Sequence, residues 1–419
     1  MIRLALRSLG RNRWRTALTV GGVAVGVGLI IWVSAFTDAY LDAMARGATA
    51  GRLGALQIHA TAYVEKPSLW DTVAAPDALL DRLAAVPDVT GVAPRVNGMA
   101  LVGHERRSRA AMVLGVDAVR EPRVTTVERA IVAGRWLAAT PPEPPAHRRE
   151  AVLGEGLAKH LGVGPGDELV VDLVTADGSP GDDAMTVVGL VRTGNVEVDR
   201  GVVYLHRADA AYLMALDDGA VHELAVGLAP GADLDRARAA IAPLVPAGAT
   251  LQTWKELVPD LVQLIDVSRG SMWIFYLIIF ALIALGLLNT QRMSALERRR
   301  ELGVLVAIGT TPARLGAQLV LEAVFLSAVG ALVGVALGSA LTAFFAVNGL
   351  DMGAFASGGK GEGVSWAGIA FDDVIYFRLD PAALVPPVVW TLVVSFFCGL
   401  WPAIAAARAN PVTAISGRG

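Results

Sequence analysis

The sequence predicts an α-helical membrane protein with four transmembrane helices and a large α+β domain between the first and second of them. Three observations predict it. Stretches 16–37, 271–291, 316–347 and 384–407 are apolar and long enough to cross a hydrocarbon layer, which takes roughly 20 residues of helix. Glu322 is the one ionised residue inside them. The long segment 41–270, by contrast, has mixed polarity and alternates short strand and helix patterns. Composition agrees: hydrophobic residues make up 54 % of the chain and charged residues 18 %, where soluble domains run to about a quarter charged. Buried helices of a soluble core would be shorter and would show a charged face.

The first span opens the chain after Arg3, Arg7, Arg11, Arg13 and Arg15. Arg292, Arg298, Arg299, Arg300 and Arg314 lie between the second and third spans, and Arg408 and Arg418 follow the fourth. Loop 348–383 instead sets Lys360 and Arg378 against Asp351, Glu362, Asp372, Asp373 and Asp380. Short loops rich in Lys and Arg stay cytoplasmic, so both termini are expected inside and the long segment outside. Trp32, Trp273 and Trp390 fall near outer edges of their spans, and Trp14 and Trp401 near inner ones, where indoles favour the interface. The first apolar run exceeds the core of a cleavable signal and lacks small residues well placed for cleavage, which favours an uncleaved anchor. The net charge of −3 gives no footprint for nucleic acid. Cys398, the single cysteine, lies within the fourth span, so the outer domain has no internal disulfide and must be held by its own core.

In the outer domain, 55–59 reads as a strand, 76–86 as a short helix with Leu79, Leu80, Leu83 and Val86 on one side, and 91–96 as a second strand. The same order recurs downstream: a strand at 222–228, a helix capped by Asp233 and carrying Leu234, Ala237 and Ile241, and a strand at 250–254. Two such βαβ halves make a split ferredoxin-like unit. Between them 99–103, 109–116, 150–153, 168–175, 185–192 and 202–205 read as an all-β insert, interrupted by one short helix at 156–161 and a turn on Gly162, Gly164, Pro165 and Gly166. Segment 140–145 is a Pro-rich surface loop.

Both ends of the domain enter the membrane in helical spacing. Phe36, Tyr40 and Met44 follow the first span at intervals of four, and Leu257, Leu261, Leu264 and Ile265 precede the second. They are stiff stalks able to transmit movement, or helix extensions packed on the domain; periodicity alone does not choose. Within the spans, Gly22 and Gly26, and Gly330, Gly334 and Gly338, each line one helix face and predict close helix packing. A carboxylate in an apolar span needs a partner, so Glu322, close to Arg314, is expected to form a structural ion pair or hydrogen bond.

Motifs for catalysis are missing. The nearest approach to a phosphate-binding loop, 357–363, has Ala354 where the first glycine belongs and Gly361 where the hydroxyl belongs, and lies on the outer side. The six histidines show no metal-binding spacing, one cysteine cannot build a thiolate site, and there is no GxSxG elbow.

The inner loop 296–312 gathers charge on one stretch and follows it with an apolar run, as in an amphipathic helix suited to lipid headgroups or to a protein groove. Glu297, Arg298, Glu301, Leu302, Gly303, Ala307 and Gly309 resemble the coupling region of the FtsX-like ABC permeases. Arg13-Trp-Arg-Thr-Ala-Leu-Thr19 and the ending Pro402, Ala406, Arg408, Pro411 and Val412 resemble the same family, and segments 54–67 and 152–163 look like its lipoprotein-releasing branch rather than the macrolide-exporter branch. The resemblance covers essentially the whole chain.

That resemblance implies a bacterial inner-membrane permease with a periplasmic domain. It would pair with an identical or paralogous permease and recruit a cytoplasmic ABC ATPase dimer that binds the ATP and Mg; no cofactor is expected in this chain. The coupling set is Glu297, Arg298, Arg299, Arg300, Glu301, Leu302, Gly303, Ala307 and Gly309. ATP-driven closure would push it, the stalks would relay the push, and lipoprotein or other lipid-linked cargo would be lifted from the outer leaflet. Trp32, Phe36, Tyr40, Met44, Leu264, Met272, Phe275 and Tyr276 would line the cavity that receives acyl chains, with dimer packing as their alternative role. An efflux permease working with an adaptor and duct, and a non-transporting regulator of a periplasmic hydrolase, stay open. The expected organisation is a basic segment 1–15, span and stalk 16–46, periplasmic domain 47–256 with its insert at 97–215, stalk and span 257–291, coupling helix 292–315, span 316–347, outer loop 348–383, span 384–407 and tail 408–419.

Overall fold

The computed structural model describes residues 13–65, 68–74, 77–141, 149–217, 219–298, 301, 304, 310–352, 365–366, 369–370 and 374–407. The chain divides into two compact units, one made of Met1–Leu41, Leu264–Leu350 and Val374–Gly419, the other of Asp42–Gln263 and Asp351–Asp373.

The first unit is helical. Its long helices are α1 (Arg13–Ala48), α7 (Pro259–Glu297), α8 (Pro312–Asn348) and α9 (Val385–Ala407), and all four are apolar and long enough to span a membrane. At about 1.5 Å per residue, α1 and α7 outrun a hydrocarbon layer about 30 Å thick, as the stalk spacing predicts. Leu257 belongs to a separate short helix, Trp254–Leu257, because Pro259 lacks an amide hydrogen and starts a new one. Proline likewise opens α8 at Pro312, and Gly349, at φ +71°, closes it. Val23, Val27, Ile30 and Ile31 of α1 form a core with Ile279, Ile283 and Leu287 of α7, Ala331 of α8 and Cys398 of α9. Leu282, Leu285, Leu332 and Phe397 are exposed, the arrangement of a bundle whose solvent is lipid.

Glycine sets how closely α8 approaches α1. A Cβ on Gly334 would stand 2.7 Å from the Ala24 carbonyl oxygen, and one on Gly338 would meet the Gly28 backbone at 2.9 Å. Gly330 meets Val23, and Gly26 meets Ile283 of α7, in the same way. Gly22 departs from the expected close packing. No atom lies within 4 Å of where its Cβ would sit, because it lines an open apolar groove of about 380 Å³ between α1 and α7 with Leu18, Leu29 and Leu282.

The second unit is built on a ten-stranded sheet: β1 (Leu56–Ala60), β2 (Val89–His104), β3 (Arg107–Val116), β4 (Ile131–Gly134), β5 (Arg149–Gly154), β6 (Glu168–Val174), β7 (Pro180–Val191), β8 (Val202–His206), β9 (Glu223–Leu228) and β10 (Ala249–Thr253). The order is β10-β1-β9-β2-β3-β8-β5-β7-β4, with β6 bridging β2 and β7. Its first four positions, with helices α2 (Asp77–Ala84) and α6 (Leu234–Ile241), are the predicted pair of βαβ halves. Leu79, Leu80 and Leu83 of α2 and Ala237 and Ile241 of α6 are buried against the sheet, and Asp233 caps α6 through the amides of Asp235 and Arg236.

Two expectations change. The stretches 91–96 and 99–103 are parts of one strand, β2, which belongs to both the ferredoxin-like half and the insert and fuses them into a single sheet. Asn97-Gly98 does not break it: Asn97 Nδ2 donates to Glu223 on the neighbouring strand, and the missing Cβ of Gly98 leaves room for the Met214 side chain. Among the described residues the insert also carries three short α-helices rather than one: α3 (Glu155–Leu161), α4 (Val196–Gly201) and α5 (Arg207–Leu213). Asn195 caps α4, and α5 buries Ala210 and Leu213 beneath the sheet.

Candidate functional site

At the basic end of the bundle, the residues leading out of α7 are tied on two sides. Arg15 on α1 donates to Glu297 at 2.6 Å and to Ser294 Oγ at 3.2 Å, and Thr19 Oγ1 donates to Thr290 Oγ1 at 3.2 Å. Arg298 Nη1 donates to Glu322 of α8 at 3.2 Å, and its Nε to Glu301 at 3.4 Å. The partner of Glu322 is therefore Arg298 rather than nearby Arg314, which is exposed. Of the predicted coupling set, Arg299, Arg300, Leu302, Gly303, Ala307 and Gly309 lie outside the described residues. Glu297 pairs with Arg15 of α1, and Arg298 pairs with both Glu301 and Glu322, so two adjacent residues carry two separate ionic groups.

Towards the other end of the bundle, Trp32, Phe36 and Tyr40 stack in succession on one face of α1, with centroids 6.0 Å apart in each pair. Phe377 lies 6.0 Å from Trp32 and 5.9 Å from Phe36, and Phe345 of α8 lies 5.2 Å from Phe377. The sequence reading missed Phe345 and Phe377; a Phe-Phe pair at the end of a span and an aromatic just before the next one were the available signals. Met272 reaches this region through a 3.4 Å contact with Thr37 Oγ1. Tyr276 packs into the bundle core, Leu264 is half-buried and Phe275 is exposed. Met44 is buried within the second unit and does not share this cluster.

In the second unit, the end of α1 is gripped by a buried ionic hub. After Ala48 the helix loosens into a π turn, Thr49–Leu53, stopped by Gly54 at φ +73°. Its carbonyls are then taken up by side chains: Arg95 Nη1 donates to the Arg52 oxygen at 2.7 Å and Gln57 Nε2 to the Leu53 oxygen at 2.7 Å. Arg95 sits on β2 directly opposite Glu223 on β9, donates to it at 2.7 Å, and makes a two-pronged pair with Glu121 at 2.7 and 2.9 Å. Its side chain is fully buried, so this charge persists only because two carboxylates and a carbonyl surround it. Burial alone would raise the Glu223 carboxyl, but the Arg95 charge overrides it and holds the group at about 2. Burial pushes His59 and His222, which flank Tyr63, below the ordinary histidine range. Among the described residues no group of three His, Cys, Asp or Glu side chains could hold a metal.

Comparison with known proteins follows this two-part plan. Residues 16–244 match the MacB-like periplasmic core domain, and residues 273–411 match the FtsX-like permease C-terminal domain. The chain belongs to the FtsX-like permeases that carry a MacB-like periplasmic core domain. It is thus a multi-pass membrane protein with a periplasmic domain, and an ABC transporter permease rather than an enzyme. Such a permease works with a partner ATPase. It is 26 % identical to the lipoprotein-releasing system transmembrane protein LolC of Neisseria meningitidis over 78 % of each chain. To LolC of Xylella fastidiosa it is 24 % identical over 98 % of this chain and 96 % of the other. The macrolide export ATP-binding/permease protein MacB of Rhodospirillum rubrum is 25 % identical over 99 % of this chain and 60 % of that protein.

Proposed function

We propose that this permease extracts lipoprotein, or other lipid-linked cargo, from the outer leaflet of a bacterial inner membrane. Its termini lie in the cytoplasm, where a separate ABC ATPase dimer binds ATP and Mg and acts on segment 292–315. The push travels along α1 and α7 to the periplasmic domain, and a second permease, identical or paralogous, completes the assembly. The observation that carries this reading is the match to lipoprotein-releasing proteins along nearly the full length of both chains. The aromatic face of Trp32, Phe36, Tyr40, Phe345 and Phe377 supports it, being apolar, broad and suited to acyl chains. The match to a macrolide exporter over 99 % of this chain favours a second reading, efflux of a small molecule through an adaptor and duct.

The complex extracted from its native membrane separates the two. Stimulation of its ATP hydrolysis by a synthetic triacylated lipopeptide, with acylated protein co-purifying, supports lipid-linked cargo. Stimulation by a macrolide alone, with an adaptor bound, supports efflux. Reversing charge at Arg298 and Arg299 together is expected to uncouple transport or release the ATPase while the permease still inserts; if recruitment and stimulated hydrolysis both survive, these residues have no coupling role.

A further inference from the structure

Two consecutive residues at the exit of α7 face opposite ways. Glu297 is bound to Arg15 on α1, and Arg298 is bound to Glu322 on α8. Glu322 is 4 % exposed and lines a small, mostly polar pocket with Arg15, Thr19, Thr290, Gln291, Ser294 and Leu326. An ionised carboxylate in such a place is costly without a cation, so Arg298 is the group that makes its charge tolerable. Arg298 therefore cannot swing freely outward to meet another protein. Ser294, one turn before, accepts the second prong of Arg15, and Thr19 and Thr290 close the next turn of the same α1–α7 seam.

We infer that Arg15 and Glu322 are positioning residues for energy coupling. They clamp residues 297 and 298 from both sides, so that a push arriving on the segment that begins there moves α1, α7 and α8 together. The inference rests on reading 292–315 as the coupling region. It adds that Arg298 contributes through α8, by its bond to Glu322, and not by touching the ATPase. Without the clamp the segment would still bind its ATPase, but its displacement would be absorbed locally by a loosened helix end.

The test uses the tagged full-length chain extracted with its bound ATPase. ATP with vanadate is added, and hydrogen exchange is followed at amides 49–53, the far end of α1. Glu322→Gln and Arg298→Glu are each expected to keep the ATPase yet reduce the ATP-induced change in exchange by ~10-fold, the scale of an ordinary coupling free energy. The swap Arg298→Glu with Glu322→Arg should recover most of it. Because a larger side chain at position 322 can disturb packing, the more exposed pair gives a second arm: Arg15→Glu and Glu297→Arg singly, then together, with the same loss and recovery. Single variants that leave the exchange response intact, or swaps no better than their singles at both pairs, overturn the inference. A wild-type complex that binds its ATPase but shows no response at 49–53 overturns it too, while leaving the ATPase-partner reading in place. A wild-type chain that binds no ATPase overturns that reading and this inference with it.

Discussion

Each end of α1 is held through an arginine paired with carboxylate, one at the basic end and two at the domain end, in opposite regimes. At the basic end, Arg15 and Glu297 are 23 % and 42 % exposed, and each makes a single ionic contact in the pair. At the domain end the Arg52 carbonyl is held by Arg95, which is wholly buried and engages two buried carboxylates. An exposed pair is worth about 1 kcal/mol or less, whereas removing one member of a buried group costs about 3–5 kcal/mol. One end is adjustable and the other fixed. The proposed transmission along α1 would need that asymmetry, since slack at the domain end would dissipate what arrives.

Substitutions can break this contrast. The largest effect is expected for Arg95→Met, which leaves Glu121 and Glu223 buried without their cation and should cost the domain about 3–5 kcal/mol, read as accelerated hydrogen exchange along β2. Adding Glu121→Gln and Glu223→Gln should recover part of that loss; no recovery would mean that side-chain volume, and not charge, makes the hub. Gly334→Leu comes next. Its side chain would be driven into the Ala24 backbone, and overpacking of this kind costs about 1–3 kcal/mol, measurable as a lower melting temperature in detergent. Gly22→Leu faces the open groove and should leave the stability of the single chain unchanged, although it can alter what occupies that groove.

A titration sharpens the same contrast. Glu223 is held at about 2 against an ordinary 4.5, so the unfolded chain binds its proton first; the stability this carboxylate contributes is full above about 4.5 and lost as pH falls towards 2. His59 and His222 are kept neutral below their ordinary 6.5, so their contribution starts to fall as pH drops through 6.5. Protection of the β2 and β9 amides, taken relative to the intrinsic exchange rate at each pH, should therefore fall from about pH 6.5 downward and again below about 4.5. The smallest effect is expected for Arg15→Gln, about 1 kcal/mol or less in stability, so any larger loss in coupling would be functional rather than structural.

Much of this was legible in the chain. The four spans announce themselves because lipid demands long unbroken apolar helices, and Leu79, Leu80 and Leu83, with Asp233 and Ile241, mark the two helices of the ferredoxin-like half. The continuity of β2 was not legible, since Asn97-Gly98 reads locally as a break and only Glu223 and Met214, distant in sequence, explain why it is none. Arg95 was equally hidden: an arginine in a strand gives no local sign that Glu121 and Glu223 will converge on it. Sequence proximity pointed Glu322 to Arg314, but the approach of α7 to α8 supplies Arg298 instead. Pairings made across helices and strands are properties of the packed chain, and these are the ones that local pattern does not carry.

In the proposed mechanism, ATP consumed by a partner at the basic end moves the periplasmic domain. Its most direct test is a pulsed-EPR distance between spin labels at Arg236→Cys in the domain and Val347→Cys in the bundle, with Cys398→Ala as background, measured in the ATPase-bound complex. The distance distribution should shift on adding ATP and vanadate and return on washing them out. An unchanged distribution in a complex that hydrolyses ATP would mean that the domain does not move with hydrolysis.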